Sequence, residues 1–410
     1  MVPQVQILTF TTLYPSAARA QHGIFVETRL RKLVESGEVQ ARIVAPCPWF
    51  PFTSPRFGGY SVLARVPPEE MVHGLHVDHP RYPLLPKIGM STAPLALFAA
   101  VLPRLRRQIG AGGDFDLIDA HYFYPDGVAA VLLGRALGRP VVVTARGSDL
   151  NLIADYALPR RWIRWAAAHA AGLITVSSGL RDRLVALGTA PERIRALRNG
   201  VDLTLFCPGD REAARWRLGF TRPTLLAVGN LVALKRHPLM VEALAQLPDA
   251  DLVIVGEGPE RAAIEALARA RGLANRVRLL GQTPQQKLPE IYGAADLLLL
   301  VSTNEGWPNV LLESMACGTP VVVSDIAGIT DIVAAPAAGR IVPRITPEKL
   351  AGAISDLLAG PPERAATRAY AEQFDWQGTT DGQIALFREV CAQYRGGTAR
   401  AGTHRRKTRP

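Results

Sequence analysis

Long apolar runs are missing from this chain. Nothing in its 410 residues approaches the roughly 20 apolar positions that a membrane-crossing helix needs, and the nearest run, APLALFAAVL at 93–102, is ended by Pro103. The first residues, MVPQVQILTF, lack the basic flank and long apolar core of a signal peptide and read instead as a β-strand. A cytoplasmic protein is therefore expected. Cysteine is scarce. Cys47, Cys207, Cys317 and Cys391 lie far apart, without metal-ligand spacing, and are expected as reduced thiols in or near the core. Also absent are GxxxxGK(S/T), HExxH, GxSxG and a complete GxGxxG after the first strand, which withdraws support from P-loop NTPase, zinc protease and α/β-hydrolase functions. Gly256 and Gly258 in VGEGP make only part of such a fingerprint. Acidic residues are missing from the last stretch, RGGTARAGTHRRKTRP, whose six Lys and Arg leave +5 of the formal +11 charge to the rest of the chain. Such a tail is either solvated and disordered or a contact for anionic lipid headgroups. Nucleic acid is not an expected partner, because the remaining basic residues are not interleaved with aromatics in a patch.

What is present is an alternation. With 48% hydrophobic and 20% charged residues the composition is that of a globular protein, and the length suggests two domains of roughly 200 residues. Short β-rich runs (VQILTF, ARIVAP, FDLIDAHY, PVVVTARG, GLITVSS) alternate with amphipathic stretches such as GVAAVLLGRALG. After the turn-rich LFCPGD the series restarts with TLLAVGNL, DLVIVGEG, VRLLGQ, DLLLLVS and PVVVSD. Continuous apolar strands separated by helices imply parallel sheets covered on both faces, hence two doubly wound α/β domains. Ligands of such sheets bind beyond the carboxyl ends of the strands. His121, which follows FDLIDA, sits at that end; the triplet Asp114-Phe115-Asp116 precedes its strand and reads as a turn.

Polar functional groups are densest in NEGWPNVLLESMACGTPVVVSD, residues 304–325, where Glu305 and Glu313 bracket seven residues. Pro308 favours the first turn of a helix that runs through NVLLESMA and ends at Cys317-Gly318. Unpaired amides of Asn309, Val310 and Leu311 then point back toward the loop and attract phosphate. Each Glu can grip neighbouring hydroxyls of a sugar or ribose with its two oxygens. One phosphate site flanked by two polyol sites matches the order of groups in a nucleotide-sugar. Taken alone, the pair could equally be a favourable first-turn charge and a solvated loop residue.

In context, EGWPNVLLESMACGTPVVVSDIAGITDIV resembles the E-x7-E signature of glycosyltransferase family 4, a group of retaining, metal-independent transferases with the GT-B fold. LRNGVDLTLFCPGD resembles that family's strand and linker between domains, and LLAVGNLVALKRH its first strand and phosphate loop in the second domain, so the likeness covers nearly the whole chain outside the tail. The resemblance implies an α/β GT-B architecture: two Rossmann-like doubly wound parallel-sheet domains facing a cleft. Residues 1–205 would form the acceptor-side domain and 206–370 the nucleotide-sugar-binding domain. Residues 371–395 would be a helical segment packing back toward the first domain, and 396–410 a basic disordered tail. By the same resemblance Glu305 would hold hydroxyls of the donor sugar and Glu313 the nucleotide ribose. Lys235 would neutralise the diphosphate, as a metal ion does elsewhere. Gly229 would let the backbone approach the phosphates, Glu257 would lie near the nucleobase, and Gly23 would make room for donor and acceptor. His121 would lie against the transferred sugar and Asp149 on the acceptor side. Asn230 stands where the family usually has an arginine, and Arg236, beside Lys235, is placed to supply the missing cation. Arg146 occupies a place where histidine is common and could offer positive charge to the leaving diphosphate or to an anionic acceptor.

The implied activity is a retaining transfer of a hexose-type sugar from a nucleotide-diphosphate sugar to a saccharide or lipid-linked acceptor, in polysaccharide or glycolipid biosynthesis, with no cofactor or metal. Acceptor contacts are expected from the proline- and aromatic-rich segment 48–87. Alternatives stay open. A nucleotide-sugar epimerase or glycoside phosphorylase can share the GT-B architecture, and a non-catalytic basic adaptor could bind a membrane through the tail. His121 could also be structural and Lys235 merely solvated, while Trp162 and Trp165 read as a packing stripe.

Overall fold

The computed structural model describes residues 4–84 and 89–406, with side chains given through residue 396. Two compact units divide the chain: Met1–Arg198 with Gln377–Pro410, and Asn199–Trp376. The break falls before the 205/206 position that the sequence suggests. Its cause is local: Val201 donates its amide to Phe374 O (2.9 Å), and a Cβ on Gly200 would overlap the backbone of Asp375 and Trp376, so this segment belongs with the end of the second unit.

In the first unit the strands are β1 (Val5–Phe10), β2 (Val39–Val44), β3 (Cys47–Pro48), β4 (Glu69–Val72), β5 (Leu75–Asp78), β6 (Arg81–Tyr82), β7 (Leu117–His121), β8 (Val141–Ala145), β9 (Gly172–Thr175) and β10 (Ile194–Ala196). Among the described residues eight of them form one sheet, β10-β9-β8-β7-β1-β2-β5-β4, parallel throughout except for the β4–β5 hairpin. That hairpin is not legible in EEMVHGLHVD, because much of its surface faces solvent and the apolar alternation is weak. Ile7, Ile43, Leu117 and Val142 pack under Val26 and Leu30 of the helix Ile24–Glu35 and under Ile384, Phe387 and Val390 of the helix Gln377–Arg406. The last helix is thus part of the first unit's core. It continues through Arg406, where the sequence predicts a disordered tail from residue 396. A helix already nucleated by packed turns extends at one hydrogen bond per residue. Residues 407–410 of the predicted tail, and 85–87 of the predicted acceptor segment, lie outside the described residues.

The second unit holds β11 (Thr224–Val228), β12 (Asp251–Val255), β13 (Val277–Gly281), β14 (Leu297–Leu300), β15 (Val321–Ser324) and β16 (Gly339–Val342). Among the described residues they form an all-parallel sheet, β13-β12-β11-β14-β15-β16. Leu225, Leu252, Leu297 and Val322 meet Met240, Leu244, Ile264 and Leu350 from the covering helices. The strand order reverses between β11 and β14, and the carboxyl ends of strands at such a switch point are where doubly wound sheets bind their ligands.

Trp162 and Trp165 meet edge to face, 5.6 Å between centroids, as a packing stripe. Cys47, Cys317 and Cys391 are buried; Cys207, expected in or near the core, is exposed. No described helix is long and apolar enough to cross a membrane.

Candidate active site

At the carboxyl end of the first sheet, two buried carboxylates pin the loops that follow β1, β7 and β8. Asp126 accepts hydrogen bonds from the Thr12 amide (2.6 Å) and from the hydroxyls of Thr12 (3.0 Å) and Thr11 (3.2 Å). Burial pushes its pKa up to about 7, against the pull of those donors. Asp149 accepts from the amides of Phe123 (2.7 Å), Gly147 (2.7 Å), Leu150 (3.1 Å) and Arg146 (3.2 Å). The sequence places Asp149 on the acceptor side. The structure instead turns its carboxylate inward, fully buried, where it holds the β7 and β8 loops in register. Gly23 is corrected in the same way. The helix Ile24–Glu35 starts there with φ 71, and a Cβ would overlap the Leu13 carbonyl, so the room it makes is filled by the chain's own backbone.

His121 closes β7 with its ring 1% exposed. Arg146 donates to its Nδ1 (2.6 Å), so Nδ1 is the acceptor and the neutral ring carries its proton on Nε2, 3.1 Å from Asp119 Oδ2. Burial lowers the His121 pKa to about 4, the nearby carboxylate of Asp119 opposing. Asp119 also accepts from Gln383 Nε2 (3.3 Å), and Gln383 Oε1 accepts from the buried Arg29 (2.6 Å). His121 and Arg146 therefore sit inside a buried polar network that spans the helix Ile24–Glu35, β7, the β8 loop and the last helix. Tyr122, directly after His121, has φ 80, an unusual conformation for a non-glycine residue at the functional end of a strand.

The second unit brings Lys235 and Glu305 together. Lys235 ends a short turn after β11, Glu305 lies in the loop after β14, and Thr303 donates its amide to Leu234 O (2.9 Å), which joins the two loops. The Lys235 ammonium donates to Glu305 Oε1 at 2.6 Å. Arg236, next in sequence, has its guanidinium Nε and one Nη buried without a partner among the described residues. The neighbouring His237 is buried too, and its pKa falls to about 4, first by burial and then by the charge of Lys235. Gly229 (φ 149) is pressed from behind. A Cβ on Gly256 would overlap its carbonyl oxygen, so the glycine of VGEG lets the β12 loop lie flat on the β11 loop. Leu231 N donates to Glu257 O (2.9 Å) across the same contact. The Glu257 side chain stands at the surface, paired with Arg261 (2.8 Å), and Asn230 is exposed.

The helix begins at Asn309, with Pro308 just ahead of it as the N-cap. Amides of Asn309 and Val310 have no acceptor among the described residues, but the Leu311 amide donates to Pro308 O (3.1 Å) and its side chain is in the core. Leu311 is thus withdrawn from the predicted phosphate contacts. Glu313 follows a turn later and accepts from the Tyr292 hydroxyl (2.8 Å). Packed surroundings push its pKa up to about 7, the tyrosine bond opposing.

Sequence reasoning misses Asp119, Asp126, Tyr292 and Gln383. Only Asp119 leaves a local signal: it precedes His121 by two on a strand and so shares its face. Among the described residues no three His, Cys, Asp or Glu side chains form a group that could hold a metal.

Comparison with known proteins bears on the whole arrangement. Residues 210–374 match the family model of glycosyl transferases group 1, and residues 59–205 that of glycosyltransferase family 4. D-inositol 3-phosphate glycosyltransferase 1 of Catenulispora acidiphila is 32% identical over 338 residues, 74% of this chain and 80% of that protein. The enzyme of the same kind from Mycobacteroides abscessus is 32% identical over 330 residues, 76% of this chain and 74% of its own length. The fold is shared with sucrose-phosphate synthase of Thermosynechococcus elongatus (TM-score 0.77, 21% identity, 95% of this chain and 100% of that one). It is also shared with Anabaena HepE in complex with UDP-glucose (TM-score 0.70, 20% identity, 93% and 98%). Parallel Rossmann-like sheets, an E-x7-E stretch whose first glutamate meets Lys235, and relatives above 30% identity along most of their length agree: this chain is a glycosyltransferase of family 4 with the GT-B fold.

Proposed function

We propose that the protein transfers a hexose-type sugar, with retention of anomeric configuration and without a metal, from a nucleotide-diphosphate sugar to a saccharide or lipid-linked acceptor in cytoplasmic polysaccharide or glycolipid biosynthesis. The observation that carries this reading is the cation pair at the β11/β14 switch point. Lys235 is held against Glu305, and Arg236 beside it has two buried guanidinium nitrogens without a partner among the described residues, which suits an anionic ligand. In the transfer, the bond between the anomeric carbon and the diphosphate oxygen breaks. The acceptor oxygen bonds to the same face, and its proton leaves with the diphosphate. Lys235, Arg236 and the amides of Asn309 and Val310 stabilise the charge that develops there. Glu305 turns from the ammonium to the sugar hydroxyls, and Glu313 holds the ribose.

The HepE complex with UDP-glucose makes a UDP-sugar the first donor to try. On the acceptor side, a cavity of about 560 Å³ in the first unit is lined by Thr12, Arg19, His22, Tyr60, His79 and Tyr82 among apolar neighbours, which suits a polyol with an apolar flank. Relatives named for D-inositol 3-phosphate favour a second reading, in which the acceptor is a phosphorylated polyol. The basic tail would assist a lipid-linked acceptor by touching anionic headgroups.

The test is incubation with UDP-, GDP- and ADP-sugars, with and without saccharide, lipid-linked and D-inositol 3-phosphate acceptors. Acceptor-dependent release of nucleoside diphosphate, with the donor's anomeric configuration kept in the product, supports the proposal. Conversion of donor alone indicates an epimerase, a requirement for inorganic phosphate a phosphorylase, and no nucleotide-sugar binding a non-catalytic adaptor.

A further inference from the structure

Acidic residues are absent from two long stretches of the first unit, 39–68 and 79–113, although the chain carries 36 of them. The first stretch contains WFPFTSPRFGGY, and the structure leaves its aromatic residues largely outside: Trp49 is 59% exposed, Phe52 52% and Tyr60 55%. They are held as a group. Phe50 meets Phe52, Phe57 and Tyr60 at centroid distances of 5.9, 5.5 and 5.3 Å, and Phe52 stacks on Phe57 at 5.1 Å. Arg56 lies over the Phe57 ring at 4.8 Å, and Arg65 is exposed at the end of the next helix. Pairing of β3 with β6 sets Trp49 beside the second acid-free stretch, since its amide donates to Tyr82 O (2.8 Å). Exposed Leu84 follows there, lying against Gly89, and exposed Met90 opens the helix Gly89–Gly110.

Exposed aromatic and apolar side chains grouped in this way on a folded unit call for a covering partner. Its composition selects which. Aromatic rings flanked by arginine match the layer between lipid headgroups and acyl chains, where amphipathic rings sit and cations meet phosphate. A second copy of the chain would set arginine against arginine with no carboxylate between them. We propose that the face formed by Trp49, Phe52, Tyr60, Leu84 and Met90, with Arg56 and Arg65, docks onto the interfacial layer of an anionic lipid bilayer. This goes beyond the transfer reading and does not depend on the basic tail.

The experiment is sedimentation of the full chain with vesicles of phosphatidylcholine alone or mixed with phosphatidylglycerol, with no donor or acceptor present, so that its failure leaves the transfer reading untouched. Binding is expected to rise with the phosphatidylglycerol fraction and to weaken with salt. Trp49→Ala with Phe52→Ala should lower the partition coefficient on the order of tenfold. Arg56→Glu with Arg65→Glu should remove the preference for phosphatidylglycerol, and truncation at residue 396 should leave most of the binding. Unchanged melting temperature and nucleoside diphosphate affinity show that each variant is folded. Absence of wild-type binding overturns the proposal. So does equal binding by the aromatic variant, loss of binding on truncation alone, or a solution dimer that the aromatic variant dissolves.

Discussion

Replacing Glu305 with glutamine keeps the shape of the side chain and removes its charge from the Lys235 ammonium 2.6 Å away. Both side chains are mostly buried, 18% and 14% exposed, so solvent screens the pair only weakly. A hydrogen bond to a charged group is worth about 1.5–3 kcal/mol, equivalent to roughly ten- to a hundredfold in an equilibrium constant. On the proposed reading, that bond competes with the diphosphate for Lys235. Its loss should leave nucleoside diphosphate affinity unchanged or raise it by up to about tenfold. Turnover should fall instead, because the contact proposed for Glu305 is one to the transferred sugar, whose charge changes during reaction. Glu313→Gln provides the contrast. The ribose contact proposed for it is equal in ground and transition states, so KM should rise and nucleoside diphosphate affinity weaken by about ten- to a hundredfold, with kcat little changed. Calorimetric titration of both variants with the nucleoside diphosphate, sugar omitted, separates the two. Equal weakening in both, or weaker binding in Glu305→Gln than in Glu313→Gln, would refute the division of roles and the competition for Lys235 together.

Burial raises the Glu313 pKa from its ordinary 4.5 to about 7, so its contribution to stability is complete below the ordinary value and is lost as pH climbs through 7. The melting temperature of wild type relative to Glu313→Gln should fall across that window, while the ratio of their nucleoside diphosphate affinities grows from about pH 6 to about pH 8 as the carboxylate ionises. Asp149→Ala strands four amides. A cost of about 3 kcal/mol and a fall of roughly 6–12 °C in the melting temperature of the first unit are expected, and a fall within error would show that the loops do not depend on this carboxylate. Gly256→Ala drives a methyl into the Gly229 carbonyl at φ 144, so nucleoside diphosphate affinity should drop with stability, and an unaffected calorimetric titration would contradict the backbone-on-backbone contact. Transfer should persist in excess EDTA; recovery only on adding Mn²⁺ or Mg²⁺ would sink the assignment of the diphosphate charge to Lys235 and Arg236.

Strands such as LLAV, LLLL and VVVS are legible in the sequence because burial on both faces leaves a continuous apolar run. The helix Asn309–Ala316 is equally legible, set between Pro308 and Gly318, and the spacing of Glu305 and Glu313 carries the family resemblance across seven residues. These are local statements, decided by propensity and periodicity over a single turn or strand. Tertiary structure alone decided which polar groups meet. Lys235 reaches Glu305 across 70 positions because the strand order reverses between β11 and β14, and Asp126 reaches Thr12 across 114 because β1 and β7 are neighbours. Gln383 reaches Asp119 across 264, through a last helix that returns to the first unit's core. It also decided against sequence expectation at three sites. A carboxylate with no water must take whatever donors surround it, so Asp149 turned inward to four amides. Gly23 gave its space to Leu13, and the Leu311 amide closed on Pro308. Such encounters depend on how strands are ordered and loops are packed, and no window of neighbouring residues contains that information.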